Sequence, residues 1–212
     1  ATVHLSTFVE AITFAAENNL FIAHDAAYDL VTFDGYQSPS IMQAPHAKDY
    51  AVEFGSLSKS FNMTGWRIGF VVGNKEVIKA LSSLKSNIDS GQFLPIQKAA
   101  ATALTSDLST VKEHNSIYEE RIDILHDALR QVGIKCKKPK GTIFMWAEVP
   151  DGYTSMAFAN LLLEEAGLIV TPGSAFGDGG EGYVRIALSV SVERFKEVAK
   201  RLKQLNFETS KN

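Results

Sequence analysis

Apolar residues recur along this chain at two spacings, and the switches between them mark its elements. Near the start, Thr7-x-x-Glu10 reads as a capping box, with Phe8, Ile12 and Ala15 or Ala16 on one helical face. Asn18-Asn19 stops that helix. Leu20 to His24 is then a short apolar run suited to a buried parallel strand, ending in Asp25. The stretch from Leu30 to Pro45 is turn-rich. A second strand, Tyr50 to Phe54, runs into Gly55-Ser56, and a third, Ile68 to Val72, closes at Gly73-Asn74.

Helical spacing dominates from there, so a domain boundary is expected near Gly73. Val77, Ile78, Leu81, Leu84 and Ile88 share one face, and Pro95 opens a helix repeating Ile96, Ala99, Ala100 and Ala103. Leu108, Val111, Tyr118, Ile122, Leu125, Leu129 and Val132 mark a long helix ended by Gly133. All three stripes read as core. Ile143 to Val149 is a strand, Thr154 caps a helix running to Ala166-Gly167, and Leu168 to Val170 is a short strand. The glycine-rich stretch from Gly173 to Gly182 precedes a strand, Tyr183 to Ser189, so it reads as a loop and not as a phosphate cradle at a helix start. Ser191 caps a last helix with Phe195, Val198, Ala199, Leu202 and Leu205 on one face.

Composition narrows the class without naming a chemistry. The chain has 212 residues, 45% of them hydrophobic and 21% charged, which suits one large or two small packed domains. A net charge of −3 and a pI near 6.0 recommend no nucleic-acid partner, and the one basic cluster, Lys135 to Lys140, lacks interleaved aromatics and reads as a solvated edge. Cys136 is the only cysteine, so neither an internal disulfide nor a cysteine metal site is expected. With no membrane-length apolar run and no signal pattern, the expectation is a cytoplasmic protein that engages no membrane and carries no metal.

Candidate chemistry gathers at the strand ends. Ligands of open α/β sheets collect outside the carboxyl ends of parallel strands, and two such ends deliver Asp25 with Tyr28 and Ser56 with Lys59. Arg67 lies just before the third strand, which in the antiparallel sense starts at the same edge. Taken singly, each has an ordinary reading: a strand-end Asp forms turns, and a lone Lys is solvated. The run Ser56-Leu57-Ser58-Lys59-Ser60, however, flanks its lysine with small polar residues and offers no acidic partner before Gly65-Trp66-Arg67. Arg185 stands out by alternation. Val184, Ile186 and Leu188 form one side of its strand, while Tyr183, Arg185, Ala187 and Ser189 point the other way.

These segments together resemble the fold-type-I pyridoxal-phosphate-dependent aminotransferases, the aspartate aminotransferase superfamily. SLSKSFNMTGWRIG, beginning at Ser56, is similar to the family's cofactor-lysine segment, HDAAYD (His24 to Asp29) to its Asp-x-x-Tyr segment, and TPGSAFGDGGEGYVRIALS (Thr171 to Ser189) to the segment bearing its substrate-carboxylate arginine. Order and separation agree over essentially the whole chain. FDGYQSPS, NMTGWRIGF, SNIDSGQF and TPGSAFGDGGEGYVR most resemble LL-diaminopimelate aminotransferases and related bacterial enzymes.

The resemblance implies an α/β fold: part of a large-domain mixed sheet (residues 1–73), then interdomain helices and an α+β small domain (residues 74–212). It implies pyridoxal 5′-phosphate as cofactor, with Lys59 as its Schiff-base partner and proton carrier, a role that needs a depressed amine pKa. Asp25 would be a buried carboxylate opposite the ring nitrogen, and Tyr28 would donate to the ring's phenolate oxygen. Ser56 and Arg67 would hold the phosphate, with Ser58 a substitute for Ser56, and Arg185 would clamp the substrate α-carboxylate. The reaction implied is amino transfer from an α-amino acid to a 2-oxo acid, with LL-diaminopimelate or a relative as donor. β-Elimination on the same fold and a non-catalytic interaction module are the alternatives. A homodimer with shared active sites is implied too, the segment from Asn87 to Phe93 lying near that interface. The family's glycine-rich phosphate loop, ring-stacking aromatic and Asn-Pro segment would lie upstream of Ala1. The chain therefore reads as a C-terminal portion that is inactive alone.

Overall fold

The computed structural model describes residues 2–205 and divides them between two compact units, Ala1–Glu113 and His114–Asn212 as bounded on the full chain. Gly73, where the sequence pattern places the boundary, closes a strand inside the first unit.

The first unit is built on a three-stranded mixed sheet. β1 (Ile22–Asp25) pairs in parallel with β2 (Ala51–Ser56), which pairs antiparallel with β3 (Gly69–Gly73). α1 (Leu5–Glu17) buries Phe8 and Ile12 in a cluster with Ile41, Ala44, Ala47 and Ala51, the last two from the short helix α2 (Ala47–Tyr50) and from β2. Two expectations change here. The helix begins at Leu5 with His4 as its N-cap, so Thr7 already lies in the first turn and caps nothing. Leu20 and Phe21 are exposed and precede the strand, which makes Asp25 its last residue.

α3 (Leu57–Ser60) follows β2 directly, and Asn74 caps α4 (Lys75–Ile88) by accepting from the N–H groups of Glu76 and Val77. α5 (Leu94–Leu104) carries Pro95 in its first turn. The apolar stripe of α4 is not core: none of its residues is buried, and Leu84 and Ile88 are 59% and 71% exposed. Of the α5 stripe only Ala100 is buried, against Leu57 and Met63. Helical spacing establishes that a face is apolar but not that anything in the same unit covers it. α6 (Ser109–Gln131) contains the division between the units.

In the second unit β4 (Phe144–Glu148), β6 (Tyr183–Ala187) and β5 (Thr171–Pro172) form an antiparallel sheet with β6 in the middle. α7 (Ser155–Ala166) and α8 (Val192–Leu202) complete it, capped by the Thr154 and Ser191 hydroxyls as the sequence predicts. Met145, Phe158, Val184, Leu188, Phe195 and Leu202 are at most 2% exposed. Each such side chain contributes about 1.5–3 kcal/mol by leaving water. The short strand expected over Leu168 to Val170 lies instead at Thr171–Pro172, and Ile169 is 87% exposed. Gly167 adopts the left-handed C-cap, and the chain needs the next residues to turn before it can pair with β6. Among the described residues no helix is long and apolar enough to cross a membrane, and no group of His, Cys, Asp or Glu is placed to hold a metal ion.

Candidate active site

Pairing in the first sheet brings three chain segments to one edge. Asp25 is the register partner of Phe54, and the Ala26 N–H donates to the Phe54 carbonyl, so β1 and β2 leave the sheet side by side. Ser56 ends β2 opposite Gly69, the first residue of β3, and the Leu57 N–H reaches the Ile68 carbonyl. Neighbouring strands are about 4.8 Å apart. Asp25 and Ser56 therefore end adjacent strands, and Arg67 lies two residues before the start of the third.

Local chemistry explains how Lys59 is presented. Leu57 and Ser60 are buried at the i and i+3 positions of α3, which leaves Ser58 and Lys59 on the outer side, both half-buried. Ser56 caps this turn, its Oγ accepting from the Ser58 N–H at 3.2 Å. Its hydroxyl proton remains available to a ligand. The Thr64 hydroxyl donates to the Ser58 carbonyl at 2.8 Å and ties the turn to the segment that follows. Lys59 forms no ion pair among the described residues. Arg67 sits in the left-handed region at φ 53°, with its carbonyl accepting from the Gln92 side chain at 2.9 Å and one guanidinium nitrogen donating to the Thr64 carbonyl at 3.0 Å.

Asp25 Oδ1 accepts from the Ala27 N–H at 3.0 Å and shapes the turn that holds Tyr28, which is half-buried. Asp25 is exposed here, whereas the resemblance implies a buried carboxylate. Behind it lies a cluster the sequence reading missed. His24 and Glu53 are register partners with Nδ1 3.0 Å from Oε2, and Glu53 also accepts from the Ser40 hydroxyl at 2.8 Å and the Ile41 N–H at 2.9 Å. Its signal was a lone carboxylate in the otherwise apolar Ala51-Val52-Glu53-Phe54. Nearby, burial pushes the Asp29 carboxyl above the ordinary carboxylate range, although the Leu30 N–H donates to it, and the negative charge of Glu53 pushes the same way.

Arg185 belongs to the second unit. It pairs with Trp146 across β4 and β6 and is half-buried on the sheet face opposite Val184. Its guanidinium carbon lies 4.2 Å from the ring centroid of Phe144 and 4.3 Å from that of Phe176, and no carboxylate pairs with it among the described residues. Phe176 comes from the glycine-rich loop, which forms two short 3-10 turns, Gly173–Phe176 and Asp178–Gly180. Neither ring stood out in the sequence, although the alternation of β4 places Phe144 and Trp146 on one face.

The aminotransferase class I and II family model matches residues 1–202. The chain is 47% identical over 205 residues to the LL-diaminopimelate aminotransferase of Moorella thermoacetica and 46% identical over 207 residues to that of Syntrophobacter fumaroxidans. These alignments cover 97% and 98% of the chain but 53% of each relative. Its fold matches apo-BacF from Bacillus subtilis with TM-score 0.92 and 38% identity over 97% of this chain and 55% of that one. An aminotransferase from Staphylococcus aureus matches at TM-score 0.90 and 36% identity, over 97% and 54%. The chain thus spans about half the length of the relatives it matches.

Proposed function

This chain belongs to the aminotransferase class I and II family, whose members use pyridoxal phosphate, and on that premise we propose that it carries the cofactor lysine of an enzyme moving an amino group from an α-amino acid to a 2-oxo acid. The observation that supports this most is the shared sheet edge: a lysine that forms no ion pair among the described residues, held between two serines, beside the strand end that bears Asp25 and the turn that bears Arg67.

The donor set suits the cofactor. An aldehyde calls for an amine, a phosphate for hydroxyl and guanidinium donors, and a ring nitrogen for a carboxylate. When bound, pyridoxal phosphate supplies an electron sink for negative charge developing at the substrate Cα. Lys59 would hold the cofactor's aldehyde carbon, and its amine is the group that would accept the proton leaving the substrate Cα. Asp25 keeps the ring nitrogen protonated by pairing with its charge. Tyr28 donates a hydrogen bond to the ring oxygen, while Ser56 and Arg67 grip the phosphate and Ser58 offers a second hydroxyl. Arg185 takes the substrate α-carboxylate with its planar fork. Residues 1–73 serve the cofactor, and residues 74–212 form the interdomain helices and small domain. The active assembly is a homodimer.

LL-diaminopimelate is the donor proposed, since the LL-diaminopimelate aminotransferases it resembles share close to half of the aligned residues. A donor panel with 2-oxoglutarate, run on the full-length protein that carries this chain, tests it. The expected result is glutamate and a 2-oxo acid in equal amounts, with LL-diaminopimelate the best donor. Ammonia release without any acceptor would instead make it a lyase.

A further inference from the structure

Among the described residues, Arg185 is held by rings and by no counter-ion. An arginine side chain is long and rotamer-rich, so a ligand that must first immobilise it binds more weakly. Phe144 and Phe176 meet the guanidinium at 4.2 and 4.3 Å through their π faces, which attract the cation without consuming any of its N–H donors. A carboxylate in their place would restrain the group equally but would compete with the anion it is meant to take.

Phe144 is fixed by β4. Phe176 rides on a loop, and that loop has its own fastening. Ser155, fully buried at the first turn of α7, donates its N–H and its hydroxyl to the two oxygens of Glu181, each at 2.7 Å, and its Oγ lies 3.0 Å from Ser174 Oγ. The loop also crosses itself at Gly173 and Gly180, so closely that a Cβ built on Gly173 would lie 1.9 Å from the Gly180 carbonyl oxygen. Trp146, 5.4 Å from Phe176 between ring centroids, packs edge-on beside it.

We propose that Phe144 and Phe176 are positioning residues that preset Arg185 for a substrate carboxylate, and that Glu181 bound to Ser155 fastens the loop carrying Phe176. This rests on the reading of Arg185 as the carboxylate-binding residue. The surface it defines is selective for a planar anion. An amine of the same length without a carboxylate gains nothing from the two rings.

Steady-state kinetics of the full-length holoenzyme test it, with LL-diaminopimelate as donor and 2-oxoglutarate saturating. Phe176→Leu and Phe144→Leu are each expected to raise donor KM about tenfold, the factor that corresponds to 1.4 kcal/mol, with the larger share of the loss in KM and not in kcat. Phe176→Tyr, which keeps the π face, should restore KM. Glu181→Gln should raise KM alone and add nothing in the Phe176→Leu background. If Arg185→Leu raises KM but both leucine variants leave it unchanged, the positioning role is overturned while the arginine assignment stands. If Arg185→Leu leaves KM unchanged, the arginine assignment fails and takes the proposal with it. Equal losses in kcat and KM, accompanied by a lowered melting temperature and no rescue by tyrosine, would make the rings structural and overturn the proposal.

Discussion

His24 and Glu53 face each other across the parallel pair of β1 and β2, with Nδ1 3.0 Å from Oε2, one residue before the strand end that carries Asp25. Because an ionised carboxylate only accepts, this contact makes Nδ1 the donor, and Glu53 collects further donors from Ser40 and Ile41. Glu53→Ala would strand all of them in a largely buried place. Urea unfolding of the full-length protein should show a loss of about 3 kcal/mol, in the range for removing one partner of a buried charged network. His24→Ala should cost less, since the Ser40 and Ile41 bonds survive.

Asp29 gives the first unit a pH signature. Burial raises its pKa above the unfolded value, so between those two values the folded state binds the proton more tightly. Stability contributed there is present at low pH and falls as pH rises through the window. Asp29→Asn removes the titration and keeps an acceptor for the Leu30 N–H. Melting temperature followed from about pH 4 to about pH 7 should fall less with rising pH in the variant than in the parent.

Glu181 behaves with the opposite sign. The Ser155 N–H and hydroxyl hold its pKa below the ordinary carboxylate range, so its stabilising contribution is present above the unfolded value and lost as pH falls through the depressed one. Ser155→Ala removes the hydroxyl and spares the N–H. A carbon-detected NMR titration should show the Glu181 carboxyl moving part of the way back toward its ordinary value.

Gly173 and Gly180 are required by contact alone, since neither needs a left-handed backbone. A Cβ on Gly180 would lie 2.1 Å from the Gly173 carbonyl oxygen. Gly180→Ala should therefore push the loop strands apart and cost about 1–3 kcal/mol, read as a lowered melting temperature. A control at Gly179, where an added Cβ meets nothing within 4 Å, should be far milder.

Much of this was legible in the chain because periodicity reports local structure directly. The helices capped by Thr154 and Ser191 and the alternation that sets Arg185 opposite Val184 follow from residues within a few positions of one another. What escaped depends on register between distant segments. Nothing near Glu53 says that His24 will lie opposite it, and nothing near Arg185 says that Phe176 will fold back over it. The stripe of α4 misled for a related reason: Leu84 and Ile88 mark an apolar face, but burial depends on what covers it. Among the proposed site residues, Ser56, Ser58, Lys59 and Arg67 come from the run that leads from the end of β2 to the start of β3, and Asp25 from the end of β1.

The function proposed turns on one amine, Lys59, which borohydride reduction followed by peptide mass spectrometry identifies. Full-length protein incubated with pyridoxal phosphate and reduced should carry a pyridoxyl group on the peptide containing Lys59, and the Lys59→Ala variant should carry none there or on any other lysine at comparable yield. Equal labelling of parent and variant, or a label confined to a different lysine in the parent, would contradict the assignment.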